Sequence, residues 1–81
     1  MEENELRAIV VDTLMRIAPE VAADELDAAR PLRKQVDLDS MDWLNFLIAL
    51  DERLAVEIPE ADYAKLVTLN DVVRYLSARG R

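Results

Sequence analysis

Ser40-Met41-Asp42-Trp43-Leu44-Asn45-Phe46-Leu47-Ile48-Ala49-Leu50-Asp51-Glu52-Arg53-Leu54 reads as a helix with two apolar faces. At about 100° per residue, Trp43, Phe46, Leu47, Leu50 and Leu54 gather around one direction. Met41, Leu44 and Ile48 gather on nearly the opposite side with Asn45 and Glu52, and Asp51 lies at that group's margin. A surface helix of a small bundle needs one apolar stripe for its core. The second stripe either lies under another part of the chain, the long connection before it being the candidate, or stands open for a partner. Its acidic rim favours a partner with a basic surface.

Working outward, Asp39 or Ser40 can cap this helix, and Asp39 and Asp42 suit its positive end. Residues 19–38 form a long connection with Pro19 and Pro31, in which Val21, Leu26, Leu32 and Val36 are spaced as anchors onto the core. A first helix is predicted over about 4 to 18, from Leu6, Ile9, Val10, Thr13, Leu14 and Ile17 at helical spacing, with Pro19 ending it. On the other side, Val56 to Ile58 reads as a short extended piece, and Pro59 opens a helix of one or two turns through Leu66. Thr68-Leu69-Asn70-Asp71 resembles a capping box with Asp in place of Glu. Leu69, Val72, Val73 and Leu76 form the inner stripe of the last helix, Arg74 and Arg79 sit toward its negative end, and Gly80 is its stop. The expected fold class is all-α: a small four-helix bundle with a long first loop and a short third helix, one complete domain over residues 1–81.

Composition supports helices and narrows the chemistry. One Gly, three Pro and 52% hydrophobic residues with only 5% aromatic fit a helical chain. A domain of 81 residues buries roughly 60% of its unfolded surface and has no room for a deep enclosed active site beside its core. Cys and His are both absent, which excludes a disulfide framework, a thiolate nucleophile and a His or Cys metal site. The missing cysteines fit a reducing cytosol, no apolar run approaches a membrane span, and the acidic start is wrong for a signal peptide, so a cytoplasmic protein without membrane insertion is expected.

The formal charge of −7 is unevenly distributed. Residues 1–36 hold eight acids and five bases, residues 37–62 hold eight acids and only Arg53, and residues 63–81 hold one acid and four bases. The acidic middle third repels phosphate backbones and attracts basic protein surfaces, so nucleic acid is not an expected partner.

Ser40 stands at the loop-to-helix junction in Val36-Asp37-Leu38-Asp39-Ser40-Met41-Asp42. Taken alone, such a serine is a cap. A serine nucleophile needs a base and an oxyanion site; the chain has no His, and Lys34 and Lys65 have no catalytic spacing to Ser40. Asp37 and Asp39 open a D-x-D pattern, but a calcium loop needs an oxygen ligand, Gly and Glu where Met41, Asp42 and Ile48 stand. No metal site is expected.

Asp37-Leu38-Asp39-Ser40-Met41-Asp42, then Leu50-Asp51-Glu52-Arg53-Leu54, Val56-Glu57-Ile58-Pro59 and Leu69-Asn70-Asp71-Val72-Val73-Arg74-Tyr75-Leu76 together resemble the acyl carrier proteins over nearly the whole chain. The resemblance implies a four-helix bundle of acyl-carrier type that catalyses nothing itself. It implies that Ser40 bears a 4′-phosphopantetheine arm taken from coenzyme A by a phosphopantetheinyl transferase that uses magnesium, with Asp39 flanking it for recognition. The arm's thiol would hold acyl groups as thioesters, supplying the sulfur that the chain lacks, and a helix start suits its phosphate. Met41, Leu44 and Ile48 match the family's apolar docking contacts, and Asp42, Asp51 and Glu52 its acidic ones. Trp43, Phe46, Leu47, Leu50, Ile58, Ala64, Leu66 and Leu69 are the candidates for lining an acyl pocket; plain core is the other reading of them.

The implied function is a freestanding, monomeric carrier of fatty-acid, polyketide or related specialised biosynthesis. Its partners would be acyl-transferring, synthase or ligase enzymes with basic docking patches. The alternative is an unmodified acidic four-helix interaction adaptor. Three positions depart from the family pattern: Asp37 replaces a Gly, Asn45 replaces a Glu common in fatty-acid carriers, and Trp43 places a large ring where smaller residues are usual. Asp tolerates left-handed turns, so the loop can keep its path; the other two point toward a specialised carrier.

Overall fold

The apolar stripe of the first segment forms helix α1, Glu3–Ile17, in a computed structural model that describes residues 2–79. Glu5 accepts a hydrogen bond from the Glu2 N–H at 3.2 Å, satisfying one of the helix's open donors. Leu6, Val10, Thr13 and Leu14 are buried, with Ile9 and Ile17 half-buried at the stripe's margins. Ala18 leaves helical geometry at φ −127° ahead of Pro19, where the proline ring excludes a further turn. Thr13 buries a hydroxyl without loss, because it donates to the Ile9 carbonyl at 2.7 Å and accepts from Arg53 at 2.9 Å.

The connection 19–38 is more structured than its lack of period suggests. It contains a 3-10 turn at Ala23–Glu25 and a one-turn helix α2, Leu32–Gln35. Leu32 and Val36 are buried and Val21 and Leu26 half-buried, so all four expected anchors pack on the core. The Gln35 amide holds the loop's shape: its Nε2 donates to the carbonyls of Asp27 at 2.8 Å and Arg30 at 3.0 Å, and its Oε1 accepts from the Asp27 N–H at 2.7 Å. The loop is tied to the start of the last helix by Leu32 N–H to the Val67 carbonyl at 2.9 Å and Asn70 N–H to the Ala28 carbonyl at 3.1 Å.

Helix α3 is Ser40–Leu54, and its core face carries Trp43, Phe46, Leu47 and Leu50 into the interior. It ends at Ala55, which sits in the left-handed region (φ 53°, ψ 41°) that glycine occupies more easily. Val56 and Ile58 are buried with Glu57 exposed between them, the alternation of an extended segment. The expected short helix is a 3-10 segment, Glu60–Lys65: bonds from the Asp62 N–H to the Pro59 carbonyl and from the Leu66 N–H to the Tyr63 carbonyl span three residues, and the stretch is too short to relax into an α-helix.

Helix α4, Leu69–Arg79, is started by the capping box read from the sequence: Asp71 N–H donates to Thr68 Oγ1 at 3.0 Å, and Thr68 N–H donates to the Asp71 carboxylate at 3.1 Å. Leu69, Val72, Val73 and Leu76 are all buried. Gly80 lies outside the described residues. The core gathers these four with Leu6, Val10 and Leu14 of α1 and the inner face of α3. Among the described residues no helix is long and apolar enough to cross a membrane.

Candidate functional site

The start of α3 resolves which residue caps it. Asp39 is extended at φ −79°, ψ 178°, and its Oδ1 accepts from the Asp42 N–H at 2.8 Å. Ser40 is therefore the first helical residue, with its side chain exposed and the capping role filled by its neighbour. The Trp43 N–H reaches the Asp39 carbonyl at 3.0 Å, so the open donors of the first turn are the N–H groups of Ser40 and Met41. An exposed hydroxyl, two open donors and the positive end of a helix of about four turns suit a phosphate ester at Ser40.

The second apolar stripe of α3 is uncovered. Met41 is 63% and Ile48 43% exposed, and Leu44 between them is half-buried. Met41 and Ile48 lie open to solvent, so the connection 19–38 does not bury them. Around the stripe, Glu52 and Asn45 are exposed and Asp42 half-buried. Asp51 differs from the other acids, because its Oδ2 accepts from the Ile58 N–H at 3.2 Å and so also fastens the segment that follows α3.

Of the eight pocket candidates, Trp43, Ala64 and Leu66 line a cleft of about 210 Å³ with Pro31, Arg33, Tyr63 and Val67. Phe46, Leu47, Leu50, Ile58 and Leu69 are packed into the core. The tilted Trp43 ring lies 5.2 Å from that of Phe46 and closes the interior on this side. Trp43 follows Ser40 by three residues, which makes the two side chains neighbours along α3, although Ser40 itself does not line the cleft.

Arg33, Tyr63 and Val67 were not picked out by periodicity. They come from two separate stretches, α2 and residues 63–67, that only the tertiary structure brings together. Val67 precedes the Thr68 cap, where an apolar residue reads as a staple onto the helix, yet it is 43% exposed on the cleft rim.

Behind the cleft, Asp62 ties the 3-10 segment to α4. It accepts from the Tyr75 hydroxyl at 2.6 Å and pairs with Arg79 and Lys65, each at 3.4 Å. The Tyr75 hydrogen bond, with help from Lys65 and Arg79, holds the Asp62 carboxyl below the usual carboxylate range. Burial and the bond to Asp62 push the Tyr75 phenol up to about 12. On the far side of the bundle, the hydrogen bond from Arg53 and the charge of Arg16 hold Asp12 low as well.

Comparison with known proteins gives this geometry its context. Residues 4–76 match the family model described as a phosphopantetheine attachment site. An acyl carrier protein of Campylobacter jejuni subsp. jejuni (serotype O:23/36, strain 81-176) is 32% identical over 73 residues, covering 90% of this chain and 88% of that protein. One from Chlamydia muridarum (strain MoPn / Nigg) is 30% identical over 77 residues, covering 95% and 94%. The solution structure of an Anaplasma phagocytophilum protein assigned as an acyl carrier protein superposes with a TM-score of 0.84 at 28% identity, covering 96% of this chain and 91% of that one. Family match, sequence relatives and helical fold converge with the resemblance read from the sequence, and the chain belongs to the acyl carrier proteins, whose cofactor is covalently attached 4′-phosphopantetheine.

Proposed function

We propose that Ser40 is the attachment residue and that the protein is a freestanding, cytoplasmic, monomeric carrier, not a catalyst. The observation that supports this most is the division of labour at the head of α3: Asp39 caps the helix, and the neighbouring hydroxyl is exposed and free for modification. When bound, the phosphopantetheine group supplies a thiol for carrying acyl groups as thioesters, chemistry that a chain without cysteine cannot provide. Ser40 would anchor the group, the open N–H groups of the first turn would be available to its phosphate, and Asp39 would flank it for recognition by the transferase.

On this reading Met41, Leu44 and Ile48, rimmed by Asp42, Asp51 and Glu52, form the docking face for the phosphopantetheinyl transferase and for acyl-transferring, synthase or ligase enzymes with basic patches. A carrier accelerates their reactions by holding intermediates at high local concentration. The pathway is fatty-acid, polyketide or related biosynthesis. Asn45 and the large ring of Trp43 favour a specialised product over bulk fatty acids.

Intact mass after incubation with coenzyme A, magnesium and a broad-specificity transferase tests the assignment. The wild type should gain the mass of one phosphopantetheine and Ser40→Ala none. A folded wild type left unmodified by several transferases would overturn it in favour of an unmodified adaptor.

A further inference from the structure

We propose that Arg33 is the counter-cation of the phosphodiester on Ser40, a positioning residue that turns the base of the arm toward the cleft beside Trp43. The inference rests on Ser40 being the attachment residue. A phosphodiester brings a negative charge to a place already crowded with them: Asp37, Asp39 and Asp42 all lie within three residues of Ser40. The positive end of α3 offsets part of that repulsion. The only base in residues 37–62 is Arg53, and it is engaged at the other end of α3 by Asp12 at 2.7 Å and Thr13 at 2.9 Å. Compensation has to come from another segment.

Arg33 is placed to supply it. It sits on the one-turn helix α2, and its Nη2 donates to the Leu38 carbonyl at 3.5 Å. Leu38 is two residues from Ser40, at most about 7 Å along the chain. The same side chain lines the cleft with Trp43, Tyr63 and Val67.

Arg33 is also uncommitted. Among the described residues, Arg16 and Arg53 pair with Asp12, and Lys65 and Arg79 with Asp62, whereas Arg33 pairs with a carbonyl. A guanidinium has five donors in a planar fork suited to phosphate oxygens, so one long bond to Leu38 leaves most of its capacity open. Without this cation the three carboxylates push the base of the arm away from the loop. With it, the arm starts across the cleft and away from the apolar face of Met41 and Ile48.

The test uses fully loaded wild type, Arg33→Gln and Arg33→Lys, each confirmed by intact mass, and compares amide and indole NMR shifts before and after loading. In the wild type, loading should shift the Trp43 indole and the Tyr63 and Val67 amides. The shifts should shrink about two- to fivefold in Arg33→Gln, the population change that an exposed charge pair supports, and largely return in Arg33→Lys. Raising salt from about 0.05 M to about 0.5 M should reduce them in the wild type and leave Arg33→Gln unaffected. Unloaded variants should keep the wild-type spectrum away from residue 33, since the side chain is exposed. Equal loading shifts in wild type and Arg33→Gln would overturn this inference alone. A wild type that cannot be loaded at Ser40 would overturn it together with the proposed function.

Discussion

Helix α3, 15 residues long, and the connection 19–38 that leads into it are comparable in length and are held in opposite ways. The helix is fixed by repetition: Trp43, Phe46, Leu47 and Leu50 each bury an apolar side chain on the same face. The connection has anchors at Leu32 and Val36, but the stretch before them takes its shape from the Gln35 amide, which joins Asp27 to Arg30. Distributed burial tolerates small changes and resists only large ones. A path held by one side chain changes all at once when that side chain is lost. The 3-10 segment is closer to the second kind, since its polar ties to Tyr75 and Arg79 of α4 both run through Asp62.

The largest expected effect sharpens the description of α3 as two-faced. Phe46→Ala should cost about 3–5 kcal/mol in denaturant unfolding, the transfer loss plus a cavity, because the ring is fully buried. Ile48→Arg, two residues away on the open face, should change stability by no more than about 0.5 kcal/mol while weakening turnover by partner enzymes. Similar destabilisation by both would break the two-face picture, and undiminished partner turnover with Ile48→Arg would remove the docking assignment.

Gln35→Ala addresses the other half of the comparison. Losing its bonds to the loop backbone should cost about 1–2 kcal/mol and speed hydrogen exchange at the Asp27 amide, with α3 amides near the middle of the helix little changed. Exchange at Asp27 that stays slow would mean the anchors suffice. A smaller gain is expected where α3 ends: Ala55→Gly should stabilise by about 0.5–1 kcal/mol, relief of the left-handed backbone less the added freedom of the unfolded chain. A melting temperature lowered by this change would contradict the cap geometry.

The tie at Asp62 is read most directly by titration. The folded state holds the Tyr75 proton more tightly than the unfolded chain, so its contribution is complete below about 10, the usual tyrosine value, and fades as pH rises toward about 12. For Asp62 the sign is opposite: its contribution is present above the ordinary carboxylate range and is lost as pH falls through its depressed value. Tyr63→Phe leaves Tyr75 as the single tyrosine, and its ultraviolet titration should centre near about 12. A midpoint near 10 would show that the phenol is not held by Asp62.

The same contrast explains what could be read in the sequence. The faces of α3 and the inner stripe of α4 are repeated patterns, and the box of Thr68 and Asp71 is a local one, so all were legible. Whether Asp39 or Ser40 caps α3 was not, because both residue types do so and only backbone geometry separates them. A one-turn helix has no period, which hid Leu32–Gln35, and six residues after Pro59 do not by themselves distinguish a 3-10 from an α segment. The cleft was the least legible feature. Pro31 and Arg33, Trp43, and Tyr63 to Val67 come from separate stretches, and only folding makes them neighbours.

Asp51 carries a consequence for how the proposed docking face could diversify. A carboxylate has room for more than one donor, so this side chain can receive a partner's cation while its Oδ2 keeps the Ile58 N–H at 3.2 Å. The two duties are nonetheless inherited together. Descendants can alter charge at the exposed Asn45 and Glu52 and so explore new partners without touching the backbone. Any substitution at position 51 that removes the side-chain acceptor also loses the tie to the Ile58 N–H. Partner preference of the proposed face can drift at Asn45 and Glu52, whereas at Asp51 it is pleiotropically bound to the architecture.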